Sequence, residues 1–270
     1  MIIIICSIIF LSLIIVVGKI NLSLAFRNEV QKLFSQSKSI SHLKFNLQQL
    51  EGLPEPVQRY FRYALRDGQP YISYARIKHD GKFRLGADKK WMDISGEQYA
   101  TTETPGFIWK GVTAMFTARD MYIGGKGRLV AFILSVIKVA DGTGKSYDQG
   151  ELLRWLGESV LYPTNLLPSE RLQWAAIDDV TARLTFNYNT FSLYFLFTVN
   201  PEGEITQMET DRYMSEQKLE KWVIKASNYA EINNVKVPLA FDVMWRLEKA
   251  DFSYAKFNIT TIEYDNPKKF

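Results

Sequence analysis

Residues 138–158 read KVADGTGKSYDQGELLRWLGE, and the fold turns on what the string GTGKS at 142–146 is doing. A phosphate-binding loop needs a glycine, four residues, then Gly-Lys-Ser/Thr, so that its backbone N–H groups curl around phosphates at the start of a helix. That register places the first glycine at position 139, where the chain has Val139, a residue that does not supply glycine's open backbone angles. No apolar run ending in an acidic metal ligand accompanies it elsewhere. The stretch therefore reads as a turn: Asp141-Gly142 closes it, and Ser146 or Asp148 caps the helix that follows. With no phosphate loop, the chain need not alternate strands with helices.

Outward from this stretch the pattern is one of strands. Alternating or apolar runs cover 91–101, 107–112, 114–123 and 128–139 before it, and 182–188, 191–199, 204–213, 222–229, 235–247 and 252–264 after it. Residues 72–85, ISYARIKHDGKFRL, read as two further strands hinged at Asp80-Gly81, a strong hairpin signal. Gly124-Gly125, the NPEG at 200–203 and the INN at 232–234 separate other runs. Strands joined by short turns predict an α+β fold: a strongly curved antiparallel sheet of about 11 strands, a half-open barrel with helices on its concave face. In FSLYFLFTV at 191–199 both faces carry apolar residues, which predicts cover on both sides.

The helix after Gly150 is amphipathic, with Leu152, Leu153, Leu156 and Val160 on one side and Glu151, Arg154 and Glu158 on the other. The charged row faces either water or the hollow of the sheet, where it would be a polar anchor. Ahead of the strands, 53–68 predicts a helix begun by Pro56 and ended by Asp67-Gly68.

The N-terminal residues 2–17 are apolar apart from Ser7 and Ser12, and with the apolar residues up to Phe26 the span approaches the roughly 20 residues a bilayer requires. No basic start and no small-residue cleavage site mark it as a removable signal. The division expected is 1–26 as a transmembrane anchor, 27–50 as a juxtamembrane helix and spacer, and 51–270 as a single curved β-sheet domain. Lys19, Arg27 and Lys32 all follow the span, which argues for a cytoplasmic body.

The 270 residues are 47% hydrophobic and 14% aromatic with a net charge of +4. That composition is globular, and the mild positive excess is not the concentrated basic face of a nucleic-acid binder. The lone cysteine, Cys6, excludes an intramolecular disulfide. Two histidines, no HExxH, no paired cysteines and no G-x-S-x-G elbow leave no metal, cofactor or nucleophile motif. Asp178-Asp179 reads as turn residues, and His79 as a residue beside a hairpin.

Four ordered stretches carry a resemblance: LPEPVQRYFRYALRDGQP at 53–70, TETPGFIWKG at 102–111, GELLRWLGESVLYPTNLLP at 150–168 and WAAIDD at 174–179. Together they resemble an uncharacterised bacterial family, a domain of unknown function, from about residue 52 to 264. More loosely, NYAEINNVKVPLAFDVMW at 228–245 resembles the end of the periplasmic lipoprotein carriers, LolA/LolB-like half-barrels whose helices plug a cavity for acyl chains. That resemblance implies an extracytoplasmic body, opposite to the charge argument. The combined expectation is a membrane-anchored, non-enzymatic domain binding an apolar or lipid-like ligand. Phe107, Trp109, Trp155, Tyr162 and Trp245 would line the hollow, with Glu151 and Arg154 as its polar rim. Two alternatives stay open: an interaction module with a filled core, and a hydrolase using carboxylates in the same cleft.

Overall fold

The computed structural model describes residues 2–270. Thirteen strands form one sheet, ordered β6-β5-β4-β3-β2-β1-β13-β12-β11-β10-β9-β8-β7, and every ladder is antiparallel. The first meander runs β1 (Tyr74–Phe83), β2 (Met92–Thr101), β3 (Gly106–Val112), β4 (Phe116–Ile123), β5 (Lys126–Ile133) and β6 (Ile137–Gly142). The second runs β7 (Leu172–Ala176), β8 (Thr181–Tyr188), β9 (Phe191–Val199), β10 (Ile205–Ser215), β11 (Lys218–Ile232), β12 (Val235–Arg246) and β13 (Asp251–Tyr264). The two meanders meet where β13 pairs with β1.

Three α-helices accompany the sheet: α1 (Ile2–Ser35), α2 (Glu55–Ala64) and α3 (Lys145–Gly157). Helix α3 proves that the sheet is bent. Asp148 Oδ1 accepts the Gly127 N–H of β5 at 2.7 Å, while Gln149 Nε2 donates to the Asp211 carbonyl of β10 at 3.0 Å. Strands β5 and β10 stand eight spacings apart in the sheet order. At about 4.8 Å per spacing a flat sheet would separate them by roughly 38 Å, more than three helix diameters. One helix touches both because the sheet curls around it.

The sequence pattern explains which face is which. On β3, Phe107 and Trp109 point into the curl with α3, whereas Ile108 points outward and joins Tyr99, Met121 and Val130 in a second cluster. The last turns of α1 cover that outer cluster with Phe26, Val30, Leu33 and Phe34. Helix α1 therefore runs unbroken across residues 26 and 27, and its last turns lie along the convex face.

Several local expectations are corrected. Residues 72–85 hold one strand, β1, not a hairpin. A Cβ at Gly81 would stand 2.0 Å from the Lys256 carbonyl oxygen, so the glycine permits close approach of β13 beside a bulge at Lys78/His79. Likewise β6 runs through Asp141-Gly142. Asp141 is a strand residue opposite Val130, held by Arg128 at 2.8 Å. The break comes at Gly144, with φ at +105°, and neither Ser146 nor Asp148 caps α3 with its side chain. GTGKS thus joins an edge strand to a helix. The run 128–139 divides into β5 and β6, and WAAIDD contributes to β7, which brings the strands to thirteen. On β9 only Leu193, Phe195, Phe197 and Val199 are buried; the opposite row is half-exposed, with Tyr194 hydrogen-bonded to Asp211 at 2.5 Å. That outer face is satisfied by polar cross-strand partners and carries no second layer.

Gly124-Gly125 and Asn233-Asn234 take the positive φ angles of two-residue hairpin turns. The β5–β6 turn does the same with Leu134 at +49° and Ser135 at +63°.

Candidate functional site

Between α3 and the inner face of the sheet lies a cavity of about 340 Å³. Its walls are mainly aromatic and aliphatic, with Trp109 from β3, Phe116 from β4, Trp222 from β11, Trp245 from β12 and Phe257 from β13. Inward-facing rows from strands far apart in sequence converge here because the sheet is curled.

The polar groups of the cavity form one cluster around α3. Arg154 donates from Nη1 to Asp120 Oδ2 at 2.5 Å and from Nε to Glu158 Oε1 at 2.8 Å. Its guanidinium lies 4.7 Å from the centre of the Trp109 ring and 5.0 Å from that of Phe107. Arg212, from β10, donates to the Gly150 carbonyl at 3.0 Å, approaches Glu151 Oε1 at 3.3 Å and lies 4.5 Å from the centre of the Trp222 ring. Three carboxylates thus face two guanidiniums, which leaves one excess negative charge if all ionise.

Burial makes that excess costly. It pushes Glu151 up to about 8, with the neighbouring Asp120 charge raising it further and the two arginines opposing. Burial also raises Asp120, against the pull of Arg154. On Arg154 burial works against the charge, and the carboxylates of Glu158, Asp120 and Glu151 outweigh it. Protonation of Glu151 removes that excess charge. Asp120 Oδ1 and Glu151 Oε2 are both buried and make no hydrogen bond within the protein. The site therefore offers two unpartnered carboxyl oxygens to a polar atom in the cavity.

Behind Trp109 sits His79. The indole Nε1 donates to His79 Nε2 at 2.8 Å, so the imidazole proton resides on Nδ1, near the Asp80 carbonyl at 3.4 Å. Burial holds His79 down to about 4 and keeps it neutral.

The structure brings Trp109, Glu151, Arg154 and Trp245 together in the cavity wall. The charged row of α3 faces the hollow, not water. Phe107, Trp155 and Tyr162 lie instead in the packed core: Trp155 Nε1 donates to the Thr101 carbonyl at 2.8 Å and the Tyr162 hydroxyl to the Trp155 carbonyl at 3.2 Å. Sequence reasoning missed Asp120, Arg212 and Trp222. A signal for Asp120 was available, since Phe116, Ala118, Asp120 and Tyr122 share one strand face and a carboxylate among them must be buried with a partner. Among the described residues no group of three or more His, Cys, Asp or Glu is placed to hold a metal ion.

No curated protein matches this sequence. Among solved structures, the chain is similar to a LolA superfamily protein from Nitrosomonas europaea, with 10% identity and a TM-score of 0.44 over 78% of this chain and 92% of that one. It is also similar to a protein domain from Vibrio parahaemolyticus described as outer membrane lipoprotein-sorting, with 6% identity and a TM-score of 0.43 over 83% of this chain and 94% of that one. A match at the level of sequence covers most of the β-sheet body. Over residues 44–257 the chain belongs to the family of unknown function DUF6544.

Proposed function

We propose that the protein is a membrane-anchored, non-enzymatic binding domain that holds an apolar, acyl-chain-like ligand within the curl of its sheet. The observation that carries this reading is the cavity of about 340 Å³, walled by Trp109, Trp222, Trp245 and Phe257, with its charged groups gathered in the cluster around α3. Small-molecule sites have that character: concave, mostly apolar, about 300–1,000 Å³, with a few placed polar groups. The tail would lie against the tryptophans and its polar end against Glu151 and Asp120. Helix α1 supplies the anchor in this reading, since it is long and apolar enough to cross a bilayer.

The test is titration of the full chain in detergent with a fluorescent acyl probe, read by energy transfer from tryptophan. Saturable transfer, reduced at least tenfold in affinity by Ala118→Trp, supports the reading. Transfer that never saturates and ignores that cavity-filling variant contradicts it.

A second reading, a carboxylate hydrolase, draws on one observation: Asp120 and Glu151 line the same cavity, each with an unpartnered oxygen, and Glu151 holds its proton to about pH 8. Turnover of an acyl ester that Glu151→Gln abolishes would favour it.

A further inference from the structure

The β5–β6 hairpin ends in a surface that local physics does not explain. Ile133, Leu134, Val136, Ile137 and Val139 are exposed, Leu134 by 51% and Ile137 by 58%, and Met115 of the adjacent β3–β4 turn is exposed by 62%. Leu134 holds a φ of +49°, where a bulky side chain is strained and Asn or Gly is preferred. The same sheet places Gly124-Gly125 and Asn233-Asn234 at its corresponding turns. A leucine at this tip is thus disfavoured twice, by conformation and by contact with water.

The tip is also pressed against α1. A Cβ at Gly18 would stand 2.6 Å from the Ser135 carbonyl oxygen and 2.9 Å from Val136 Cγ2. N-terminal to that contact no described side chain of α1 is buried, and C-terminal to it the helix still exposes Ile20 and Leu24. The exposed apolar band of α1 therefore continues past the level at which the hairpin touches it. Lys19 lies at that level too, and its stem is long enough to carry the ammonium to the headgroups.

We infer that the β5–β6 tip, together with Met115, inserts into the acyl–headgroup boundary of the bilayer from which α1 emerges. The occupant of this surface is lipid: the tip continues the apolar face of the anchor, and no protein partner is required to cover it. Insertion would also orient the body. Phe116, which lines the cavity, pairs across the ladder with Ile133 at the base of the tip, and the Leu134 N–H donates to the Met115 carbonyl at 3.5 Å. The cavity end that holds Phe116 is then seated on the membrane surface, and an acyl chain reaches it without crossing bulk water. This inference rests on α1 as a membrane span, and not on what the cavity contains.

The test uses the full chain with Cys6→Ser, reconstituted in phosphatidylcholine vesicles and labelled with an environment-sensitive fluorophore at one introduced cysteine. The positions are Leu13→Cys in α1, Leu134→Cys and Ile137→Cys in the hairpin, and Ile177→Cys in the exposed β7–β8 turn. Spin-labelled phosphatidylcholine is the quencher, and circular dichroism verifies that each labelled protein is folded. The expected result is quenching at 13, 134 and 137 several-fold greater than at 177, with blue-shifted emission at the hairpin positions. Quenching at 13 with water-like emission at 134 and 137 would overturn the inference and leave the span intact. Water-like emission at 13 would overturn both.

Discussion

The indole Nε1 of Trp109 donates to His79 Nε2 at 2.8 Å, so a cavity wall residue is fixed by a buried imidazole that must stay unprotonated at that nitrogen. His79 falls to about 4 in the folded protein because burial disfavours its charge. A depressed basic group binds fewer protons when folded, so its contribution to stability is full above its ordinary value near 6.5 and declines as pH falls toward 4. Denaturation followed by tryptophan fluorescence at a series of pH values is expected to show the parent losing stability relative to His79→Gln as pH falls between those limits.

Glu151 produces the opposite slope. Its carboxyl titrates at about 8 when folded and near 4.5 when unfolded, so the folded state binds more protons and loses stability as pH rises between those values. Glu151→Gln keeps the size and the hydrogen-bonding groups without the charge. The variant is expected to be more stable than the parent at pH 8 and equal to it at pH 4, measured by urea midpoints.

Removing Arg154 strands Asp120 and Glu158. Both bond to its guanidinium, at 2.5 and 2.8 Å, in a low-dielectric site. Breaking a buried pair from one side costs about 3–5 kcal/mol. Arg154→Met is expected to lower stability by that amount at pH 7 and by less in acid, where the carboxyls can take protons.

Gly81 separates two accounts of residues 72–85. A hairpin turn at Asp80-Gly81 would penalise alanine locally, through the positive φ of the turn, whereas close strand approach penalises it across the β1–β13 ladder. With the Lys256 carbonyl oxygen 2.0 Å from the place an alanine methyl would take, Gly81→Ala is expected to destabilise by about 1–3 kcal/mol. Hydrogen exchange at the β1–β13 ladder locates the damage.

Leu134→Asn places a residue suited to positive φ at the hairpin tip. In detergent the variant is expected to gain up to about 1 kcal/mol over the parent, because the left-handed backbone is costly for leucine. Thermal unfolding in detergent measures it.

These particulars show what a single sequence yields. The antiparallel sheet was legible because period-2 alternation and turn residues such as Asn233-Asn234 are local properties. Strand ends were less so: Asp80-Gly81 and Asp141-Gly142 look like turns, yet each glycine is set by a neighbour distant in sequence or across a turn, Lys256 in one case and the Tyr147 ring in the other. In the site, Trp109, Glu151, Arg154 and Trp245 came from helix periodicity and aromatic content. Arg212 and Trp222 did not, because their place in the wall depends on how far the sheet curls, which no local pattern specifies. Trp155 and Tyr162 share the aromatic character of wall residues, yet the direction of α3 sends Trp155 into the core, and Tyr162, in the turns beyond that helix, is buried there too.

The central claim is that the curled sheet holds a greasy ligand between Trp109, Trp222 and Trp245. Native mass spectrometry of the full chain, released from detergent after purification from a membrane fraction, tests it most directly. The account predicts a population carrying the added mass of one acyl-bearing molecule, absent from Ala118→Trp prepared identically. Finding the bare chain alone, or the same adducts on both proteins, would contradict it.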